Sequence, residues 1–180
     1  PSIRLHVAEW GFPRISSKSM GEGLLVYLAA KKREEGMAIE DLAHWVEENR
    51  NHLCHWFTVD DLNHLKRGGR VSSAAALFGT MLGIKPVLHV DDEGHLIPIS
   101  KVRGRKASLD ALVKEMEKTV TDSSTVFISH GDSLDDAEYV AEQVKSKFHP
   151  KEIRLNFIGP VIGSHSGPGT IALFFLGKHK

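Results

Sequence analysis

One cysteine, Cys54, stands in 180 residues. A lone thiol excludes an internal disulfide framework and a cysteine-rich zinc site, and it fits a reducing, cytoplasmic setting. Net charge is absent as well: 23 Lys and Arg balance 23 Asp and Glu. No global field therefore draws the chain to nucleic acid or to an anionic membrane, which leaves only local patches. Long apolar runs are missing. The longest, such as Thr170 to Leu176, fall far short of the ~20 residues of a membrane helix, so no stable membrane insertion is expected. The N-terminus lacks a basic region followed by an apolar stretch, so no signal peptide reads there. It opens on Pro1, as a processed end or a start inside a larger protein would. No GxSxG elbow, P-loop, GxGxxG or CxxC occurs, and no metal-ligand spacing such as H-x-x-x-H. Neither a cofactor nor a metal is expected.

What is present is enough apolar material, 41%, to bury the core of one large domain. Helical periodicity reads from Gly23 to Glu35, stopped by Gly36, and again from Ile39 to Leu53, where Ile39, Leu42, Trp45 and Val46 share a face. Cys54 to Val59 reads as a strand and Asp60 to Leu65 as a short helix. Ser72 to Leu82 is an uncharged, strongly apolar helix. Ile84–Val90 and His95–Ser100 flank Asp91-Asp92-Glu93-Gly94, a hairpin signature. Helices follow at 107–120 and 134–148, with strands at 125–129, 153–158 and 170–176. Pro1 to Pro13 is the least readable part. Alternating helices and strands with one hairpin predict an α/β fold, a mixed β-sheet flanked by helices.

Three segments carry chemistry of interest. In Lys66-Arg67-Gly68-Gly69-Arg70, two glycines allow Arg70 to stand at the start of the next helix, where free N–H groups and a cationic fork suit an anion. Arg70 could equally pair with Asp60 or Asp61. The helix after it is either buried core or, through Phe78, Met81 and Leu82, one wall of an apolar pocket, methionine being adaptable. The second segment, Gly159 to Gly169, has four glycines and two prolines in eleven residues. It predicts a loop between two strands that can bring backbone close to a ligand, with His165 as a hydrogen-bond donor to a carboxylate or as a solvated loop histidine. The third, Lys101 to Lys106, places four cations in six residues. Arg103 and Arg105 there suit an acidic partner or a phosphate, or simply solvate a helix start. His130 and Asp132 read as a turn before a helix.

Taken in order, several segments resemble the DegV family. They are Phe57-Thr58-Val59-Asp60-Asp61-Leu62, Leu65 to Arg70, Leu82-Gly83-Ile84-Lys85-Pro86, Val102 to Lys106, and Ile158 to Phe175. The likeness runs from about Ser17 to the C-terminus, so 17–180 reads as the second lobe of that two-lobed fold and 1–16 as a segment that does not match. The resemblance implies a bacterial, cytoplasmic, non-enzymatic carrier of a long-chain fatty acid. The acyl chain would lie in an apolar tunnel, with Phe78, Met81, Leu82 and Ile162 as wall. The carboxylate would be held by His165, by Arg70, and by hydroxyl groups of a first lobe that this sequence lacks. A separate fatty acid kinase catalytic subunit would phosphorylate the bound acid for phospholipid synthesis, docking on Arg103 and Arg105. One rival is a dihydroxyacetone-kinase-like phosphotransfer module with His165 as nucleophile. Another is a regulatory module working through the basic patch.

Overall fold

A computed structural model describes residues 19–67, 69 and 83–178. Expectations that rest on 1–18, 68, 70–82 and 179–180 lie outside them, Arg70, Phe78, Met81 and Leu82 included.

Helix α1 (Met20–Glu34) starts where the Ser19 hydroxyl accepts the Gly21 N–H at 3.1 Å, and it carries Lys31, Lys32 and Arg33 in its last turn, as the helix dipole favours. Helix α2 (Ile39–Asn49) tightens into a 3₁₀ turn (Arg50–His52), and Leu53 already belongs to strand β1 (Leu53–Thr58). The helix is therefore shorter than its apolar periodicity predicts. Short helix α3 (Leu62–Arg67) follows. The hairpin of β2 (Ile84–Val90) and β3 (Leu96–Arg103) turns on Asp91, whose carboxylate accepts the N–H groups of Glu93 and His95 at 3.1 and 2.7 Å. Then come α4 (Arg105–Thr119), β4 (Val120–His130), α5 (Leu134–Phe148), β5 (Glu152–Phe157), α6 (Pro160–Ser166) and β6 (Ile171–Gly177).

Three further features differ from the sequence reading. Lys101 to Arg103 extend β3 instead of following it, and α4 starts at Arg105, one residue after Gly104. Strand β4 begins at Val120, because β6 reaches back to pair with it there. The glycine-rich segment expected as a loop contains α6. Pro160 sits at its first position, where a missing N–H costs nothing. Gly163 and Gly167 then donate to Gly159 O and Gly163 O at 2.9 and 2.8 Å.

The six strands form one mixed sheet in the order β3-β2-β1-β6-β4-β5, antiparallel except for β4 beside β5. Helices α4 and α5 cover one face over Cys54, Trp56, Val87, Val126, Ile128 and Leu173. Helices α1 and α2 cover the other over Phe57, Leu88, Phe127 and Phe174. Central β1 is buried along its whole length because both faces are covered. An ion-pair cluster ties α1 to the sheet edge. Glu152 of β5 accepts from Tyr27 Oη at 2.6 Å, Lys31 Nζ at 2.8 Å and Arg154 Nε at 2.6 Å. These donors pull the Glu152 pKa down to about 2.

Candidate ligand site at the carboxyl ends of the strands

Strands β1, β3, β4 and β5 run in one direction, and β2 and β6 in the other. Each of the first four is followed by a helix: α3, α4, α5 and α6. Four helices therefore start at one end of the sheet, outside the carboxyl ends of the strands. That is where open α/β sheets bind ligands. The dipoles of the longer pair, α4 and α5, make this end favourable to negative charge.

The segment from His130 to Ile171 is woven together here by backbone bonds. Ile158 N–H donates to His130 O at 2.8 Å, Gly131 N–H to Thr170 O at 2.8 Å, and Gly169 N–H to Gly131 O at 2.7 Å. The Thr170 hydroxyl lies 3.0 Å from Ser166 O and 2.8 Å from Gly167 O, and so serves carbonyls that the end of α6 leaves open. Gly167 ends α6 at φ 78, ψ 175, a region that side chains beyond hydrogen do not tolerate. A Cβ there would also stand 2.6 Å from the His64 ring, so α3 and α6 meet at a glycine-only contact. Gly169, at φ 75, makes the same kind of approach to Asp60.

His165 occupies the last turn of α6 and is half-buried, with no hydrogen-bond partner among the described residues. Ile162, one turn earlier, is likewise half-buried. Next to His165, Ser166 is 4% exposed, and its hydroxyl has no hydrogen-bond partner among the described residues. The neighbouring polar groups are engaged. His64 Nδ1 lies 3.1 Å from Arg67 Nη2 and 3.9 Å from the Asp61 carboxylate. The Asn63 backbone N–H, donating at 2.8 Å, lowers the Asp61 pKa from its ordinary value. Asp60 is paired with Lys85, which also donates to Asp60 O at 2.8 Å. At the start of α5, Ser133 N–H donates to His130 Nδ1 at 3.2 Å. The His130 ring packs 4.5 Å from the exposed Phe157.

Arg103 and Arg105 lie at this same end, since Arg103 faces Ile84 where β2 begins. They differ in availability. Arg103 is exposed. Arg105 donates through Nε and Nη2 to Asp136 at 2.9 and 2.8 Å, and its Nη1 is buried without a partner among the described residues. The Ser133 hydroxyl joins the same carboxylate at 2.6 Å. Arg105 is thus an internal tie between α4 and α5. Lys106, counted with the cations, lies over the Tyr139 ring at 5.4 Å.

This end can hold an anion, but no activated nucleophile stands here among the described residues. Cys54 lies at the opposite end of β1, buried, with its thiol pushed up to about 12. Sequence reasoning missed Ser166, masked by its place in a run of glycines and serines. It also missed the pairing of Arg105 with Asp136, 31 residues away.

Comparison with known proteins follows the same line. Residues 16–178 match the family model described as uncharacterised protein, DegV family. A DegV domain-containing protein of Clostridium perfringens is 52% identical over 163 residues, covering 89% of this chain and 56% of that protein. The structure of a DegV family protein from Thermus thermophilus, described for its fatty acid binding, superposes with a TM-score of 0.79 at 30% identity, over 96% of this chain and 65% of that one. The Streptococcus pneumoniae fatty acid kinase B3 protein loaded with linoleic acid shares the fold, with a TM-score of 0.77 at 17% identity over 86% of this chain and 55% of that one. The chain spans about half the length of the curated relatives it matches.

Proposed function

We propose that this chain, which belongs to the DegV family, is the lobe that holds a long-chain fatty acid by its carboxylate end and presents that end to a kinase. The observation that carries the reading is the state of α6. It offers a half-buried imidazole with no partner among the described residues beside a buried hydroxyl with none, at the end of the sheet that favours an anion. Two ionisable or hydroxyl donors left open on a glycine-bounded turn suit a carboxylate, which accepts several hydrogen bonds at once.

In this reading 17–180 forms the ligand lobe, and a further lobe of the length the relatives carry supplies the remaining carboxylate donors. Arg70, Phe78, Met81, Leu82 and Ile162 complete the site, the last four as apolar wall. Arg103 meets the kinase, whose product is the acyl phosphate. Arg105 supports that surface by fixing α4 against α5. The chain acts as a carrier in the cytoplasm and leaves the chemistry to its partner. Its relatives include a fatty-acid-binding protein of Thermus thermophilus at 30% identity, which favours this reading over a triose-binding phosphotransfer module.

Native mass spectrometry of the chain purified from bacterial cells tests it. A retained mass equal to a fatty acid, lost on delipidation and regained on adding oleate, is the expected result. A covalent triose adduct on His165 would overturn it. So would the absence of lipid both from this chain and from one extended to the relatives' length.

A further inference from the structure

The polar side chains of β1 do not match their surroundings. Trp56 and Thr58 lie on the face of the sheet that looks on to α4, two residues apart and so on one side of the strand. Apart from the buried His89 opposite Trp56, that wall is apolar, made of Val87, Leu109, Leu112, Ile171 and Leu173. Trp56 is 5% exposed and Thr58 not at all, yet among the described residues neither Trp56 Nε1 nor Thr58 Oγ1, both buried, has a hydrogen-bond partner. Strand geometry separates the two positions by about 7 Å. Thr58 is the nearer to the ligand end, facing Ile171, the residue that follows the α6 turn. The Trp56 indole is held in place by the His89 ring, stacked at 4.9 Å and 29°.

Buried donors are satisfied in nearly all native structures, and leaving one open is costly. Two on one apolar wall mark a place where an oxygen atom is expected. An unsubstituted acyl chain cannot provide it. A chain with an oxygen part-way along its length can, accepting from the indole N–H and exchanging a hydrogen bond with the threonine hydroxyl. We infer that Trp56 and Thr58 are specificity residues that select a fatty acid carrying a mid-chain hydroxyl group. The inference rests on the fatty-acid reading above and narrows its ligand class.

The test compares octadecanoate with its positional hydroxy isomers, titrated into the wild-type protein and into Trp56→Phe and Thr58→Val. One neutral hydrogen bond contributes about 0.5–1.5 kcal/mol, which is about twofold to tenfold in affinity. At least one mid-chain isomer should bind the wild type tighter than octadecanoate by that factor or more. The advantage should fall in each variant, while octadecanoate keeps its affinity for both. If octadecanoate binds but no isomer is preferred, or the preference survives both substitutions, the inference is wrong and the fatty-acid reading stands. If both variants lose thermal stability in lipid-free protein, the two groups serve an internal water, and the inference fails. If no fatty acid binds at all, the fatty-acid reading falls and takes this inference with it.

Discussion

Replacing Gly167 with alanine should destabilise the protein by about 2–4 kcal/mol, a large effect for one methyl group. Two separate causes contribute. The residue sits at φ 78, ψ 175, which a Cβ disfavours by about 1–3 kcal/mol. The new methyl would also lie 2.6 Å from His64 Cγ and 2.8 Å from His64 Nδ1, so the ring or α6 must move. The ring is the easier to move, because its side chain is 33% exposed and, among the described residues, is held only by Arg67 and the distant Asp61 carboxylate. His64→Ala should therefore cost little alone, and in the Gly167→Ala background it should restore the steric part and leave the backbone part. Urea denaturation of the four proteins measures this as a coupling energy, expected at about 0.5–2 kcal/mol. Gly159→Ala is the control, since Gly159 has φ −62 and open space around it; it should stay within about 0.5 kcal/mol of wild type. Strict additivity of His64→Ala and Gly167→Ala would refute the α3–α6 contact. A neutral Gly167→Ala would refute the backbone argument as well.

In fatty-acid titrations, His165→Ala should weaken binding more than substitution of any other histidine, by about tenfold to a hundredfold for a bond to a carboxylate; equal loss with the matching fatty alcohol would show that the carboxylate is not what His165 holds. Arg103→Glu should leave lipid affinity unchanged and slow phosphorylation by the kinase in a salt-dependent way. Arg105→Glu should instead lower Tm, because it sets two carboxylates together at Asp136; an unchanged kinase rate with Arg103→Glu, or an unchanged Tm with Arg105→Glu, refutes that division of roles. Glu152 is ionised in the fold down to about 2, against an ordinary value of 4.5, so its contribution is present above pH 4.5 and is lost as pH falls towards 2. After allowance for solvent screening at the sheet edge, Glu152→Gln should cost about 1 kcal/mol at pH 7. That difference should shrink in acid, and a pH-independent difference in urea melts would show that packing rather than charge explains it.

Local chemistry alone determined the helix 134–148, the hairpin around Asp91 and the body of α1. In each, periodicity and punctuation agree with the fold, and nothing distant contradicts them. The family was legible for the same reason, since its segments are short, ordered and read along the chain. Sequence also drew attention to Gly159–Gly169, but glycine propensity argued for a loop there. Only the fold made it a helix, because Pro160 starts it and Gly167, pressed on His64 from another segment, ends it. Arg103 and Arg105 look alike in a run of cations. Their difference arises from Asp136 on α5, brought beside Arg105 by the packing of two helices on one face of the sheet. The open donors of Trp56 and Thr58 are likewise invisible in a strand that reads as ordinary core. A hydrogen bond left unmade depends on every neighbour at once, and those neighbours come from β1, β2, α4 and β6.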